Sequence, residues 1–245
     1  MSARAPRLST AQILGIIFAL GNLLLWFWVP AIRAFIDQRT GRWADPNNPI
    51  ILNGVQELLV YFDPLLARVV IPFVYTVGLV TIPFLARRGR QQSGTRSNDI
   101  ATMLLLVGFE LVWLFLIVVA VFFRGPNWNF FWPGEEWDAN RLVPLNNINL
   151  SEYFWVYWMG KPVEDMSWLS RELPGLALTG AYFLAGPLIA LVLFSSTSYS
   201  RHDKWRLVLL VLLVQLLAVV PIKILLRWLF NLKYVIFIPE YYFNL

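Results

Sequence analysis

Few side chains in this sequence could carry chemistry, and the most prominent is the carboxylate of Glu110. It lies about ten residues into an apolar stretch from 100 to 123, which places it near the middle of a membrane. A charged side chain at that depth costs at least about 2.5 kcal/mol, so Glu110 must face protein, pair with a base or carry a proton. Two interpretations follow: a proton relay or acceptor for a quinol head group, or a packing contact with a neighbouring helix.

Two basic residues form the second candidate group. Lys223 and Arg227 lie four residues apart in the apolar stretch 206–230, so they share one face of a helix. Both could extend their charged ends to lipid phosphates at the membrane surface. They could instead bind an acidic partner or lipid head group, with Glu57 or Asp63 as counter-charge. Glu110, Lys223 and Arg227 are therefore the candidates for a quinone or lipid pocket.

Cofactor chemistry is restricted by the near absence of metal-binding side chains. Cysteine does not occur and histidine occurs once, at His202. Disulfides, iron–sulfur clusters, cysteine-based zinc sites and a haem held by two histidines are thereby excluded. No nucleotide-binding or metalloprotease motif is present. We expect no cofactor bound by the chain's own side chains, although a quinone or lipid could bind at an interface.

These residues must be positioned by helices in a lipid bilayer. Of the 245 residues 58% are apolar and only 14% are charged, and the mean hydropathy is +0.59. Five stretches contain the roughly 20 apolar residues that a membrane-crossing helix needs. The prediction is an all-α integral membrane protein, a single membrane domain over 1–245, with spans near 11–34, 66–86, 100–123, 175–195 and 206–230.

Lysine and arginine placement predicts the orientation of these spans. Nine of the basic residues share the amino-terminal segment and two short connections with only two acids, Asp99 and Asp203. By the positive-inside rule these segments are cytoplasmic, so the amino terminus is inside and the carboxyl terminus is outside. Outer loops of 35–65 and 124–174 result. The pI of about 9.6 then reflects topology and attraction to anionic lipids, and it does not indicate nucleic-acid binding.

The longer outer loop is rich in tryptophan, because the segment 125–175 holds six of the chain's 12 tryptophans. A belt of aromatic residues at the membrane surface would explain this composition. A surface that binds a partner protein would also explain it. Residues 150–159 are predicted to form a short interfacial helix with Ser151 as N-cap. The partner-interface candidates are Arg124, Trp128, Trp132, Trp137, Asn146, Asn147, Trp155 and Trp158.

Contacts between the helices are predicted from small and polar residues. Ala177, Ala181 and Ala185 recur every four residues, and such a stripe permits close approach of another helix. Asn22 and Gln215 are expected to form hydrogen bonds between helices.

Two segments carry a resemblance to a known class of protein. Residues 122–128 (FFRGPNW), followed by 131–133 (FWP), and residues 227–234 (RWLFNLKY) resemble segments of non-haem membrane subunits of bacterial quinol and cytochrome c electron-transfer complexes. The resemblance covers about 20 of 245 residues. It implies a multi-pass subunit in the bacterial cytoplasmic membrane, beside other membrane subunits and a c-type cytochrome or haem-bearing subunit. The chain lacks the paired histidines of the haem-bearing b subunits and so departs from them.

The predicted function is a non-catalytic subunit that holds cofactor-bearing neighbours and lines a quinone or lipid pocket. A second prediction is a stand-alone transporter or membrane enzyme for a lipid or amphiphile, in which Glu110 would carry protons and Lys223 and Arg227 would bind the head group. A third is an assembly factor that binds such a complex only transiently.

Overall fold

A computed structural model describes residues 8–24, 57–86, 95–124, 129–132, 134–136, 138, 140, 147–193, 201–238 and 244–245. These residues form helices α1 to α6: Thr10–Leu24, Leu66–Ala86, Thr95–Phe123, Leu150–Trp158, Trp168–Leu193 and Arg201–Phe230. Two short strands, β1 (Ile148–Asn149) and β2 (Leu232–Tyr234), pair in parallel.

Four of the helices, α2, α3, α5 and α6, are long and apolar enough to cross a membrane. The chain is therefore a multi-pass membrane protein. Helix α1 is apolar but shorter, and residues 25–34 of the first predicted span lie outside the described residues. The five-span count and the orientation stay predictions.

Two helices begin earlier than the predicted spans, because a helical turn with charged residues precedes the apolar stretch. Helix α5 begins at Trp168, seven residues before the predicted start at 175, and α6 begins at Arg201 rather than at 206. The prediction followed apolar side chains, whereas helical hydrogen bonding continues through charged turns. Pro174 interrupts that bonding without ending α5.

Short-range capping explains where two helices begin. Before α1, the Ser9 amide donates to Oε1 of Gln12 at 2.9 Å, and the Gln12 amide donates to Oγ of Ser9 at 3.4 Å. Before α4, Asn149 has extended backbone, and its amide donates to Oε2 of Glu152 at 3.2 Å. The N-cap is thus Asn149, so the prediction of Ser151 was wrong, and Ser151 is buried within the helix.

The core lies between α1, α2, α3 and α6. Tyr75 of α2 stacks on Trp113 of α3 with 4.7 Å between ring centroids, and its hydroxyl donates to the Phe109 carbonyl. Around these rings pack buried aliphatic residues: Leu79, Ile82, Leu106, Leu116, Leu217 and Val220. Helix α5 packs mainly on α6 and buries the smallest share of the four long helices.

Helix ends gather at two poles of the bundle. The start of α2, the end of α3, the start of α5 and the end of α6 meet at one pole, here called the polar end, through the contacts described below. At the opposite pole Arg206 donates from Nη2 to the Phe84 carbonyl at 3.0 Å, which satisfies a free carbonyl at the end of α2.

Candidate functional site

At the polar end, a buried ion pair joins the segment before α2 to the end of α3. Nε and Nη2 of Arg124 donate to the two carboxylate oxygens of Glu57 at 2.7 and 2.8 Å. The Glu57 side chain is fully buried, and Tyr61 donates to its Oε1 at 3.1 Å. Burial lowers the pKa of Arg124, but the hydrogen bonds and charge of Glu57 outweigh burial and raise it. Arg124 therefore stays charged and fixed within the chain.

A second buried carboxylate joins α2 to the segment after α6. Asp63 precedes α2 and accepts a hydrogen bond from the Tyr234 hydroxyl at 2.6 Å. Its other oxygen accepts the Asn244 amide at 2.8 Å. Burial, the hydrogen bond to Asp63 and the charge of Asp63 all raise the pKa of Tyr234, so its hydroxyl remains a donor at neutral pH.

Arg227 joins the end of α6 to the second long loop. It is buried, and it donates from Nη2 to Oδ1 of Asn147 at 2.7 Å and from Nη1 to the Asn231 carbonyl at 2.9 Å. Asn231 ends the helix with a φ of 52°, a conformation that asparagine adopts more readily than most residues. Extension of Arg227 to lipid phosphates is therefore not what the structure shows.

The start of α5 is held by a further buried acid. Glu172 accepts from Nε of Arg171 at 2.9 Å and from the Phe237 amide at 2.9 Å. Sequence reasoning missed this residue because it lay outside the predicted span. An acid beside a base, directly before an apolar stretch, was the signal that could have found it.

Lys223 lies one turn before Arg227 and is 2% exposed. Its Nζ has no hydrogen-bond partner among the described residues, and it lies 5.7 Å from the ring centroid of Phe62 and 6.0 Å from that of Tyr234. Lys223 also lines a pocket of about 260 Å³ between α5 and α6. Lys223 therefore does not extend to the membrane surface, and only its apolar stem reaches the pocket, since its Nζ is buried. Its predicted role in a quinone or lipid pocket stays a prediction.

Glu110 lies elsewhere in the bundle, where α1 meets α3. Nδ2 of Asn22 donates to its Oε2 at 3.0 Å, and Glu110 is 8% exposed. The prediction that Asn22 bonds between helices is confirmed. The same holds for Gln215 of α6, which exchanges hydrogen bonds with Tyr182 of α5. Neither Glu110 nor Arg227 lines the α5–α6 pocket, so the three pocket candidates do not share one site.

Of the partner-interface candidates, some form hydrogen bonds within the chain and others are exposed. Arg124 and Asn147 form the internal bonds given above, and Nε1 of Trp155 donates to the Arg171 carbonyl at 3.0 Å. Trp132 and Trp158 are 65% and 78% exposed. Trp128, Trp137 and Asn146 lie outside the described residues.

Within the part of the chain that the structure describes, no group of three or more His, Asp or Glu side chains could hold a metal ion. His202, at the start of α6, is exposed.

Comparison with known proteins adds no relative: no protein-family model, no curated protein and no solved structure matches this chain.

Proposed function

We propose that the chain is a non-haem, non-catalytic subunit of an electron-transfer complex in the bacterial cytoplasmic membrane, where it holds cofactor-bearing neighbours. The observation that carries this proposal is the outward face of α5. Ala177, Ala181 and Ala185 are all exposed, and a Cβ at Gly180 would meet no atom within 4 Å. The small-residue stripe is thus left open by the rest of the described chain, as a contact for another membrane helix would require.

The amino-acid composition supports a complex in which other subunits carry the cofactors and this chain holds those subunits in place. A chain with one histidine and no cysteine has no ligands for a cysteine-bound iron–sulfur cluster and no pair of histidines for a haem. Most buried ionisable groups of the described residues form internal hydrogen bonds, as at Glu57, Asp63, Glu172 and Arg227. Such bonds stabilise a rigid scaffold. The resemblance of residues 122–133 and 227–234 supplies the class of partner.

A purification experiment tests the proposal. The tagged chain is extracted from its native membrane in a mild detergent, separated on a native gel and stained for haem. We expect a large haem-stained complex that contains the chain in a fixed ratio to the other subunits. A small colourless particle would contradict the proposal, and substoichiometric recovery would indicate an assembly factor instead.

The role of α5 is tested by a pair of matched variants. Gly180→Leu is expected to release the chain from the complex, because the added side chain prevents close helix approach. Gly108→Leu on α3 is the control, since a Cβ there also meets no atom within 4 Å. Equal release by both variants, or by neither, would exclude α5 as the contact.

A stand-alone transporter or membrane enzyme for an amphiphile remains the second candidate function. The α5–α6 pocket with its buried Lys223 favours it. In that case the native gel would show the colourless particle, and the purified chain alone would move or convert its substrate in vesicles.

A further inference from the structure

A second pocket, of about 230 Å³, lies at the pole opposite the polar end, where the end of α2 meets the starts of α3 and α6. Residues of all three helices line it, among them Leu85 of α2, Ala101 of α3 and Leu207 of α6. Pockets for drug-sized ligands measure roughly 300–1,000 Å³, so this pocket suits a smaller group.

The pocket lies where the helices change from polar to apolar residues. On α6 the charged turn ends at Arg206, and the apolar run starts at Leu207. On α3 the apolar run starts at Ile100, directly after Asn98 and Asp99. In a bilayer such a change marks the boundary between the lipid head groups and the hydrocarbon. A ligand of this pocket therefore has a polar group and an apolar chain.

The charges of the pocket are balanced. One acid and one base line it among the described residues, and both belong to the start of α6. Arg206 lies three residues after Asp203, so the two side chains lie on the same side of the helix. Pockets that bind acidic lipid head groups are lined by several bases, which is not the case here. A negative group beside a positive group is instead complementary to a zwitterion.

Both charged groups can form more hydrogen bonds than a single contact uses. Nη2 of Arg206 donates to the carbonyls of Phe84 and Leu85 at 3.0 and 3.3 Å, which fixes the guanidinium at the end of α2. A guanidinium has several N–H donors, and the carboxylate of Asp203 has several acceptor positions. Asn98, exposed at the start of α3, adds an amide that both donates and accepts. The pocket thus offers donors for a phosphate and acceptors for an ammonium group.

We propose that this pocket binds a zwitterionic phospholipid with a primary ammonium group, as in phosphatidylethanolamine. The ammonium group donates to the Asp203 carboxylate, and the phosphate accepts from the Arg206 guanidinium. An acyl chain of the same lipid lies along Leu207 and Leu210, toward the hydrocarbon. The site requires no partner subunit, so it does not depend on the scaffold role proposed above.

Native mass spectrometry of the full chain, purified in detergent and delipidated, tests the proposal. The probes are phosphatidylethanolamine, phosphatidylcholine and phosphatidylglycerol with identical acyl chains, each added alone at the same concentration. Phosphatidylcholine has the same phosphate and net charge as phosphatidylethanolamine, but its ammonium group carries methyl groups and no N–H donors. We expect phosphatidylethanolamine to bind at least about tenfold more tightly than phosphatidylcholine, because the latter cannot form the charge-assisted hydrogen bonds. Equal binding of these two lipids, or binding of phosphatidylglycerol as tight as that of phosphatidylethanolamine, would overturn the proposal.

A pair of carboxylate variants locates the ammonium contact. Asp203→Asn should abolish the preference for phosphatidylethanolamine over phosphatidylcholine, because it removes the negative charge that attracts the ammonium hydrogens. Asp99→Asn removes the same charge at the same pole from a residue that does not line the pocket, and it should retain the preference. Loss of the preference in both variants, or in neither, would refute the site.

A pair of basic-residue variants locates the phosphate contact. Arg206→Gln should weaken phosphatidylethanolamine and phosphatidylcholine alike by at least about tenfold, because both lipids carry the phosphate. Lys204→Gln, at an exposed position of the same helix, should leave both affinities unchanged. Equal weakening by the two variants would reduce the effect to general charge attraction and contradict the Arg206 contact.

A steric pair tests the pocket without altering a charge. Ala101→Phe fills the pocket and should prevent binding of phosphatidylethanolamine, whereas Leu104→Phe, 67% exposed and about one turn further along α3, should not. Both positions are exposed, so both variants should keep the melting temperature of the wild type, which separates loss of binding from loss of fold. Normal binding of the lipid by a folded Ala101→Phe chain would also refute the proposal.

Discussion

Glu57 and Arg124 depend on each other more than most ion pairs do, because Glu57 is fully buried and Arg124 contacts both of its oxygens. A surface ion pair contributes little to stability, but removing one partner of a buried pair leaves a charge without compensation. The effect of a substitution here therefore reflects the charge left behind.

We expect Glu57→Gln to lower the free energy of unfolding by about 3–5 kcal/mol, because it leaves the Arg124 guanidinium without a counter-charge. Thermal unfolding in detergent, read by circular dichroism, measures the change. Glu136→Gln is the control, since Glu136 is exposed, and should leave the melting temperature unaltered. Equal stability of the two variants would contradict the buried-pair account.

The raised pKa of Tyr234 leads us to predict that folding stability depends on pH in the alkaline range. Its pKa is raised above the usual 10.0, so above pH 10 the unfolded chain releases this proton while the folded chain retains it. Folding stability therefore falls as the pH rises through this window. Tyr61, whose pKa is raised by burial and by Glu57, adds to the same decline. Burial and the charge of Arg227 lower the pKa of Lys233, which raises stability with pH below 10.5 and so acts in the opposite direction.

We expect Tyr234→Phe to be less stable than the wild type by about 1–3 kcal/mol at pH 7, because Asp63 loses one of its donors. Above pH 10 the difference should narrow, and Tyr61 should maintain part of the decline. Melting temperatures of both chains from pH 7 to 11 provide the measurement. A constant difference across that range would show that Tyr234 does not titrate with unfolding.

At the scale of elements, α1 depends on close approach to α2. A Cβ added to Gly15 would lie 2.3 Å from the Leu79 carbonyl oxygen, so the helices must separate to accept any side chain there. A Cβ added to Gly21, on the same helix, would meet no atom within 4 Å.

Gly15→Ala is accordingly expected to destabilise the chain by about 1–3 kcal/mol. Gly21→Ala should be neutral or stabilise it by up to about 1 kcal/mol, because alanine favours helix more than glycine does. Melting temperatures in detergent distinguish the two variants. If Gly15→Ala were as stable as Gly21→Ala, α1 would not pack on α2 as described.

The positions of the helices could be predicted where runs of apolar residues determine them. The residues at which helices begin could not be predicted where local side-chain hydrogen bonds determine them. The helices over 66–86, 100–123 and 206–230 follow from runs of apolar residues. The start of α5 and the N-cap Asn149 depend on local hydrogen bonds instead. Hydrogen bonds from Asn22 and Gln215 to other helices were predicted, because polar side chains in apolar helices need hydrogen-bond partners. Their partners Glu110 and Tyr182 were not foreseen, since the choice of partner depends on how helices pack.

At the scale of the whole molecule, the polar end joins segments far apart in sequence. Arg124 and Glu57 are separated by 67 residues, and Asn244 and Asp63 by 181. A charge pattern cannot specify such pairs, and for the same reason the bonds of Arg227 to Asn147 and Asn231 were not predicted. Which side of the membrane the polar end faces stays a prediction of the positive-inside rule.

The orientation can be tested without background labelling, because the chain has no cysteine. We expect Lys161→Cys to react with a membrane-impermeant maleimide on spheroplasts and Lys204→Cys to react only after lysis. Both lysines are exposed, so the comparison depends on side rather than on burial. Reversed labelling would invert the predicted topology.

The segment 232–245, which holds the starts of α2 and α5 through Tyr234, Asn244 and Phe237, has a consequence for biosynthesis. The ribosome synthesises these residues after all six helices. Before these residues are made, Asp63 lacks the donors Tyr234 and Asn244, and Glu172 lacks the amide of Phe237. The starts of α2 and α5 are then held by fewer hydrogen bonds than in the complete chain. Membrane proteases that recognise loosely packed helices therefore have an interval in which to remove chains that stall before this segment is made.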